Sequence, residues 1–341
     1  MPFTALSNPQ GTSRMHQGFL SSPQTTLGRL FGSATGPRIV AKLDFLQMSG
    51  STKERTAASL LAGLIDRGEL PPGGTVVEST SGNLGVALAR QCALGGHHLT
   101  AVVDECANEA ALRTMKAFGA TVVMVPTPPD GNRLRARVER VHQLLQSVPG
   151  AVTTNQYGNE DNARAHEVST MPEFVDALGA PPDRMYVATS TTGTVLGCQR
   201  AIKEAGWPTR LFAVDARGSA LFGGEQGPRA LPGLGAGFET KLSHHVHPDK
   251  IHRIPDWEMV LGCRLLARRE GILAGASTGA IVAAIGRDLA DLDAQDTIGM
   301  LVHDGGAPYL PTVFNDEWVE ATLGDVDRLQ ESLSLSNPFA S

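Results

Sequence analysis

The stretch Thr75-Val76-Val77-Glu78-Ser79-Thr80-Ser81-Gly82-Asn83-Leu84-Gly85 passes from a β-branched run, through a turn of hydroxyl and glycine residues, into an apolar helical pattern. It predicts a strand over 75–78 and a helix over 84–94. The order recurs, with further strands predicted over 38–43, 99–103, 121–125, 185–188, 211–215 and 298–302, and further helices over 54–67, 108–118, 258–269, 278–290 and up to about 204. Strands separated by helices of about 10–15 residues form βαβ units, so we predict an α/β protein with parallel sheets covered on both faces.

Composition and charge favour a globular enzyme and argue against several other classes. The chain has 341 residues, of which 41% are hydrophobic and 19% charged, enough for two modest lobes or one large domain. Its 38 glycines cluster between apolar runs, which is typical of tight turns and of backbone that approaches a ligand. The net charge is -6 and no long basic run occurs, so we predict no nucleic-acid partner.

The cysteines and the apolar runs indicate neither a metal centre nor a membrane protein. Cys92, Cys106, Cys198 and Cys263 are scattered without metal-ligand spacing, and we interpret them as ordinary thiols. No run approaches the roughly 20 apolar residues of a membrane helix, and the N-terminal residues lack the apolar core of a signal peptide. We therefore expect no metal, no membrane association and a cytoplasmic location.

Lys53 lies in a second glycine- and hydroxyl-rich turn, Ser49-Gly50-Ser51-Thr52-Lys53-Glu54-Arg55, that runs into the helix predicted over 54–67. A lysine that is partly desolvated becomes neutral and nucleophilic, and can then form a Schiff base. The same residues also match an ordinary capping box from Ser51 to Glu54, in which Lys53 is a solvated charge at a helix start. This segment alone leaves both interpretations open.

Turns that directly follow strands are candidate sites, because ligands of open α/β sheets bind at the carboxyl ends of the strands. The turn over 79–85 offers hydroxyls, backbone amides and a helix N-terminus, all of which suit a carboxylate or another small anion. An equally good interpretation is an elaborate N-cap, in which Ser81 or Asn83 satisfies the first amides of the helix.

Two further turns carry hydroxyl groups at predicted helix starts. Ser190-Thr191-Thr192-Gly193-Thr194 follows the strand over 185–188 and predicts a phosphate site with side-chain and backbone donors together. It has neither the Gly-Lys-Ser/Thr of a nucleotide-binding P-loop nor a GxGxxG fingerprint. Ser277 lies in the glycine-rich turn over 271–280, where a lone serine is by default an N-cap.

Taken in order, these motifs resemble those of the fold-type II pyridoxal-phosphate enzymes, the cysteine synthase and cystathionine β-synthase family, from about residue 20 to 325. The shared motifs are the lysine segment, Thr-Ser-Gly-Asn at 80–83, the loop at 190–194 and Gly-x-Ser at 275–277. The resemblance implies a tryptophan synthase β-like fold of two doubly wound α/β lobes, with pyridoxal 5'-phosphate in the cleft. It also implies an N-terminal arm (1–18), a large cofactor-binding lobe (19–50 and 165–330), a small mobile substrate lobe (51–164) and a tail (331–341).

The resemblance further implies a role for each candidate residue. Lys53 would hold the cofactor as a Schiff base and, once freed, act as the base that takes the substrate's Cα proton. Asn83 would hydrogen-bond the ring hydroxyl oxygen, and Ser277 would be a neutral partner of the pyridine nitrogen, which favours β-elimination over transamination. The cofactor phosphate would be bound by Ser190, Thr191, Thr192, Gly193 and Thr194. The substrate would be bound by Thr80, Ser81 and Gln156 at its α-carboxylate, with Tyr157 and Arg137 nearby.

Finer features resemble the group within this family that joins L-glutamate to O-phospho-L-serine in the biosynthesis of 2,3-diaminopropionate for siderophores or other secondary metabolites. They are Ser190-Thr191-Thr192-Gly193 in place of Gly-Thr-Gly-Gly, Asn155-Gln156-Tyr157, and the segments 214–219, 231–236 and 261–264. The resemblance implies a β-replacement through an aminoacrylate, giving N-[(2S)-2-amino-2-carboxyethyl]-L-glutamate and phosphate. Arg137 aligns with an arginine of that group, although Arg133, Arg135, Arg137 and Arg140 could equally form a solvated basic helix face.

Two other functions stay open on the same fold. One is a cysteine synthase that uses sulfide on O-acetylserine or O-phosphoserine, and the other is a non-catalytic ligand-binding protein. A nicotinamide oxidoreductase is disfavoured, because the chain lacks the glycine fingerprint. The segment His303-Asp304-Gly305-Gly306-Ala307-Pro308-Tyr309-Leu310 departs from the Ser-Gly-Glu-Arg-Tyr pattern of relatives, which leaves the choice of substrate open. The resemblance alone implies amino-acid substrates and a homodimer.

Overall fold

The computed structural model describes residues 24–32, 36–129, 133–324 and 326–334. Within these ranges the strands are β1 (Leu27–Leu30), β2 (Arg38–Lys42), β3 (Thr75–Ser79), β4 (His98–Asp104), β5 (Thr121–Val125), β6 (Arg184–Ala188), β7 (Arg210–Ala216), β8 (Lys250–Ile254) and β9 (Thr297–Leu301). The helices are α1 (Lys53–Asp66), α2 (Asn83–Gly95), α3 (Glu109–Ala117), α4 (Arg133–Ser147), α5 (Asp161–Ala165), α6 (Met171–Leu178), α7 (Gly193–Ala205), α8 (Asp256–Glu270), α9 (Ala276–Asp288), α10 (Asp316–Leu323) and α11 (Val326–Ser334). The predicted arm, 1–18, lies outside the described residues, and the predicted tail begins inside α11 and continues beyond them.

The larger sheet contains six strands in the order β1-β2-β9-β6-β7-β8. All neighbours pair in parallel except β1 and β2, which are antiparallel. The predicted parallel α/β architecture is therefore confirmed, but the sequence does not predict β1 and β8. Both are edge strands, and β8 reads Lys-Ile-His-Arg-Ile, which lacks the apolar run of a strand buried on both faces.

The smaller sheet consists of β3, β4 and β5, which are all parallel. On one face, α1, α2 and α3 form a core that includes Leu61, Leu88 and Met115. On the other face, α4 packs Val141 against Val77 and Val102. Helices thus cover both faces, and the two separate sheets support the prediction of two lobes, whose boundaries stay a prediction.

The larger sheet is also covered on both faces. Tyr186 and Phe212 pack with Met259 of α8 and Ile281 of α9 in one core. Val187 packs with Phe174 of α6 and Leu196 of α7 in another core. This layering places the carboxyl ends of β2, β6, β7 and β9 along one edge, where the long connecting loops lie.

The sequence does not predict α5 and α6, which run over 161–178 with a π-helical turn, His166–Thr170, between them. A π turn shifts the 3.6-residue period, and Pro172 stands at the start of α6, so the apolar spacing does not repeat regularly.

Three findings concern the described residues as a whole. None of their helices has both the length and the apolar character needed to cross a bilayer. No group of three or more His, Cys, Asp or Glu side chains among them could hold a metal ion. The four cysteines are free thiols, of which Cys106 is exposed and the others are buried.

Candidate active site

The loops after β3, β6 and β9 meet the start of α1, and together they form the candidate site. The Thr52 amide donates to the His303 carbonyl over 2.7 Å, which joins α1 to the loop after β9. The Ala188 amide at the end of β6 donates to His303 Nε2 over 3.3 Å, and Asn83 after β3 donates to Asp304 over 2.8 Å. Ser277, in the turn over 271–280, lies 3.4 Å from the same Asp304 carboxylate. The structure thus brings the three predicted turns and the lysine segment to one place.

Lys53 is the first residue of α1 and is partly buried. Burial lowers the pKa of its amine, while the carboxylates of Asp304 and Asp44 act in the opposite direction. Half of the predicted capping box is present, because Ser51 Oγ accepts from the Lys53 amide over 3.3 Å. The other half is absent, since Glu54 pairs with Arg90 over 2.5 Å instead of reaching back to Ser51. The amine is therefore suited to nucleophilic attack on an aldehyde.

The loop over 190–194 ends in a buried helix N-terminus. Gly193, Thr194 and Val195 open α7, and no side chain among the described residues caps them. Thr192, just before them, has φ of 67°, a left-handed conformation that is strained for a threonine. A buried and uncapped N-terminus presents amide donors and a positive dipole end, which is the arrangement that binds a phosphate.

The side-chain hydroxyls of this loop are mostly engaged within the protein. Thr192 donates to the Thr191 carbonyl over 2.6 Å, and Thr191 Oγ1 accepts from Asn162 over 3.1 Å. Thr194 lies 3.2 Å from His166 Nε2, and Ser190 donates to the Gly235 carbonyl over 3.1 Å. The backbone amides are therefore the principal free donors for an anion, with the hydroxyls fixing the loop's shape.

Asn83 and Ser277 stand at the starts of α2 and α9, and neither caps its helix. The interpretation of these residues as N-caps is therefore wrong. Both side chains instead point to the buried Asp304 carboxylate, with 2.8 Å from Asn83 Nδ2 and 3.4 Å from Ser277 Oγ. The two residues predicted to contact the cofactor ring thus lie on either side of one carboxylate.

The turn over 79–85, predicted to hold the substrate α-carboxylate, lies beside the segment that contains Gln156 and Tyr157. Thr80 is buried, and Gln156 donates from Nε2 to the Ser79 carbonyl over 3.2 Å. Tyr157 stacks edge-on against Phe238, with 5.1 Å between ring centroids. Gln156 therefore holds the end of β3, and its direct contact with a substrate stays a prediction.

Glu78 is a positioning residue that the sequence does not single out. Its carboxylate accepts from the amides of Ser79 at 3.1 Å and Asn155 at 3.0 Å, and from the Thr154 hydroxyl. Burial raises the pKa of Glu78, and these donors counteract the effect. The carboxylate fastens the segment before Tyr157 to β3, and the only signal in the sequence is a charge that ends a β-branched strand.

A cavity of about 890 Å³ opens beside this turn. Its lining includes Arg133, Arg135, Arg137, Arg229, Tyr157 and Ser190. Arg137 donates to Ser81 Oγ over 2.9 Å and pairs with Asp104 over 3.2 Å. The Nε of Arg137 is buried and has no hydrogen-bond partner in the described part of the chain. The arginines of the lining therefore offer positive charge to an anion in the cavity, while the Arg137 Nε faces the protein interior.

Two buried histidines flank the site and were not predicted. His303 accepts from the Ala188 amide, and burial next to the Lys53 charge lowers its pKa to about 3. His166 contacts Thr56 and Thr194 over 3.1 and 3.2 Å, and burial holds its pKa well below the usual value. Both rings are neutral at ordinary pH, so they shape the site without adding charge beside Lys53.

The arrangement fits pyridoxal 5'-phosphate. An amine of lowered pKa suits the aldehyde, the uncapped α7 suits the phosphate, and Asn83 and Ser277 offer polar groups to the ring. Lys53, the loop over 190–194, Asn83 and Ser277 are the residues that would hold it.

Comparisons with known proteins agree with this geometry. Residues 19–304 match the family described as pyridoxal-phosphate dependent enzyme. The chain is 40% identical over 300 residues to N-(2-amino-2-carboxyethyl)-L-glutamate synthase of Ralstonia nicotianae, covering 87% of this chain and 88% of that protein. Among solved structures, the O-acetylserine dependent cystathionine β-synthase of Helicobacter pylori has a TM-score of 0.78 and 28% identity, covering 87% of this chain and 97% of that chain. An O-ureido-L-serine synthase has a TM-score of 0.75 and 27% identity, covering 86% and 96%. The chain belongs to the pyridoxal-phosphate dependent enzymes.

Proposed function

We propose that this pyridoxal-phosphate enzyme catalyses a β-replacement in which L-glutamate, through its amine, displaces phosphate from O-phospho-L-serine. The product is N-[(2S)-2-amino-2-carboxyethyl]-L-glutamate, a precursor of 2,3-diaminopropionate. The proposal is supported by the 40% identity to the Ralstonia synthase that bears the product's name. The structural observation that supports the proposal is the arginine-lined cavity.

The cavity suits two substrates that are both multiply anionic. Phosphoserine brings a phosphate and a carboxylate, and glutamate brings two carboxylates. Arg137 approaches from α4, and Arg229 lines the same cavity from the loop after β7, where it donates to the Leu234 carbonyl over 3.1 Å. A cysteine synthase that uses phosphoserine needs cationic groups for that substrate alone, whereas glutamate adds two further carboxylates. Arginines from two separate elements therefore favour glutamate over sulfide as the nucleophile.

Separate residues of the chain transfer the proton, bind the substrate carboxylates and orient the attacking amine. The bound cofactor supplies the electron-withdrawing ring that acidifies the substrate's Cα–H bond. Lys53 takes the Cα proton of phosphoserine and returns a proton to Cα after the new Cβ–N bond has formed. Thr80, Ser81 and Gln156 hold the α-carboxylate, and Tyr157 closes one wall beside Phe238. Arg137 holds a carboxylate of glutamate so that its amine faces Cβ.

The experiment is a comparison of nucleophiles with one donor. The purified enzyme, loaded with pyridoxal 5'-phosphate, is mixed with O-phospho-L-serine and either glutamate, glutamine or sulfide, and the amino-acid products are identified by mass. We expect phosphate release and the glutamate adduct, with much weaker turnover of glutamine, which lacks the side-chain carboxylate. Cysteine formed from sulfide, without any adduct from glutamate, would overturn the proposal.

We further propose that the enzyme is a cytoplasmic homodimer serving siderophore or related secondary metabolism, with lobes 51–164 and 19–50 plus 165–330. This rests on the family resemblance and on the separation of the two sheets. Light scattering of the purified full chain tests the dimer, and a monomer at micromolar concentration contradicts it. Limited proteolysis with and without phosphoserine tests the small lobe, which we expect to be protected by the ligand.

A further inference from the structure

Asn162 is a buried amide that none of the steps above uses. It lies in α5 and has 1% of its surface exposed. A Cβ at position 193 would overlap the Asn162 amide, and one at position 197 would overlap the Ala163 carbonyl, so two glycines one turn apart let α5 approach α7 closely. The Asn162 side chain therefore lies directly against the loop predicted to bind the cofactor phosphate.

The Asn162 side chain donates two hydrogen bonds, to partners on different segments. Its Nδ2 lies 2.8 Å from the Gln156 carbonyl oxygen and 3.1 Å from Thr191 Oγ1. Because a carbonyl can only accept, the amide nitrogen must face Gln156, which fixes the orientation of the amide. The two N–H groups of Asn162 thus serve Gln156 and Thr191 together.

The contact with Asn162 determines what Thr191 can offer to the cofactor. The Thr191 hydroxyl accepts the N–H of Asn162, and no group in the described part of the chain accepts the proton of that hydroxyl. A hydroxyl carries one proton besides its two lone pairs, so Thr191 keeps its proton for an anion bound at the start of α7. Thr191 then adds one side-chain donor to the backbone amides at that helix N-terminus.

The contact with Gln156 extends to the turn predicted to hold the substrate. Gln156 donates from Nε2 to the Ser79 carbonyl over 3.2 Å, directly before Thr80. A continuous chain of hydrogen bonds therefore runs from the end of β3, through Gln156 and Asn162, to Thr191. All four residues of this chain are buried, so little water competes for its bonds.

We propose that Asn162 is a positioning residue that fixes two binding groups at once. Through Thr191 it turns a hydroxyl proton towards the cofactor phosphate, and through Gln156 it holds the residues predicted to bind the substrate's α-carboxylate. The proposal rests on the proposed function, because it uses the same two binding sites, but it does not depend on which nucleophile the enzyme uses.

The first test measures the cofactor in the holoenzyme. Asn162→Ala removes both donors, so the cofactor Kd from equilibrium dialysis of the holoenzyme should rise about 3- to 10-fold, as one lost hydrogen bond requires. The ³¹P resonance of the bound cofactor should also move. Thr191→Val removes the proton itself and should have at least the same effect. The double variant should bind the cofactor no more weakly than Thr191→Val, because Asn162 acts through the Thr191 hydroxyl.

The second test measures the substrate turn. The concentration of O-phospho-L-serine that gives half of the full change in cofactor absorbance should rise about 3- to 10-fold in Asn162→Ala. The same rise should appear in the Thr191→Val background, because this effect passes through Gln156. A wild type whose absorbance does not respond to phosphoserine would contradict the proposed function, whereas the cofactor Kd and the ³¹P resonance test Asn162 independently of that outcome.

Asn159→Ala is the matched control. Asn159 lies in the same segment and also makes two side-chain hydrogen bonds, each over 3.0 Å, but its partners are the Thr154 carbonyl and the Asp161 amide. Asn159→Ala should keep the cofactor Kd, the ³¹P resonance and the phosphoserine response near wild type, even where its thermal stability falls. Equal changes in Asn159→Ala and Asn162→Ala would overturn the proposal, and so would an unchanged cofactor Kd in Asn162→Ala.

If Asn162→Ala does not fold, Asn162→Asp decides the question. It keeps the size of the side chain but has at most one proton to donate, so it must lose the bond to Thr191 or the bond to Gln156. We expect a weaker cofactor complex, a weaker phosphoserine response, or both. A wild-type value of both quantities in Asn162→Asp would overturn the proposal.

Discussion

Arg137 Nη1 lies 3.2 Å from Asp104 Oδ2, so an arginine of α4 is tied to the carboxyl end of β4. The same nitrogen donates to Ser81 Oγ over 2.9 Å, which joins the guanidinium to the turn predicted to hold a carboxylate. Because the guanidinium is planar, these two contacts fix its orientation and direct the unpartnered Nε into the protein. Arg137 is therefore pre-organised before any substrate arrives, unlike its exposed neighbour Arg135.

Replacing Arg137 with methionine keeps the apolar stem and removes the charge. If Arg137 holds a carboxylate of glutamate, the KM for glutamate should rise about 10- to 100-fold, the range that charge-assisted hydrogen bonds provide, with a smaller change in kcat. Steady-state kinetics with each substrate varied in turn would measure both constants. Arg140→Met is the control and should leave them near wild type, because Arg140 lies on the same helix outside the cavity lining and donates to Gln143 over 3.0 Å. A rise in the KM for phosphoserine alone would assign Arg137 to the donor instead.

Lys53→Ala should abolish the visible absorbance of the cofactor Schiff base and lower product formation by at least about 10²- to 10⁴-fold, the range for loss of a positioned base. Lys203, exposed on α7, provides the control. The Lys203→Ala variant should keep both the absorbance and the rate. Retention of the bound-cofactor spectrum in Lys53→Ala would contradict the assignment of Lys53 as the covalent anchor.

The sequence predicts the turns that meet at the candidate site, because each turn has a recognisable local composition. Glycine and hydroxyl residues directly after predicted strands mark the turns before α2 and α7, and the structure joins both strand ends to the loop after β9 beside the start of α1. Hydrogen-bond partners that are distant in sequence cannot be recognised from local composition. Asp304 contacts Asn83 across 221 positions of sequence, and Glu78 contacts Asn155 across 77, so their roles depend on tertiary packing.

The missed elements have a similar explanation. β8 contains His252, whose ring lies 2.8 Å from the Asp288 carboxylate of α9, so a polar residue is buried there at little cost. The strand prediction relies on apolar residues, so it does not identify β8. The same reasoning applies to Arg55, which is 2% exposed although arginine is usually a surface residue.

Arg55 joins α1 to the turn after β2 and to α6 through buried ion pairs. Its Nε lies 3.0 Å from Asp44 and its Nη2 lies 2.7 Å from Glu173. Arg55→Leu would leave Asp44 buried without its main partner, so the free energy of unfolding should fall by about 3–5 kcal/mol. Denaturant unfolding measures this loss. Arg113→Ala, which removes an exposed pair with Glu109, should cost less than about 0.5 kcal/mol, and equal losses in the two variants would refute the argument.

Asp215 should make stability depend on pH. It ends β7 in the protein interior, and burial raises the pKa of its carboxyl to about 6, although the Ala216 amide and Arg253 counteract the rise. Because the folded pKa exceeds the ordinary value of 3.8, the folded state holds this proton more tightly. The contribution of Asp215 to stability is therefore complete below about pH 4 and is lost as the pH rises through about 6.

Asp215→Asn removes the titrating group while keeping the size of the side chain. Between pH 4.5 and 7.5, the stability of the wild type relative to this variant should fall by about 2 kcal/mol, as a pKa difference of this size requires. The weakened Arg253 contact lowers the variant's stability equally at both pH values, since arginine stays charged, so the pH dependence isolates the carboxyl. The exposed Asp66→Asn variant should follow the wild type. Parallel stability curves for the wild type and Asp215→Asn would show that Asp215 is already ionised throughout this range, with Arg253 outweighing burial.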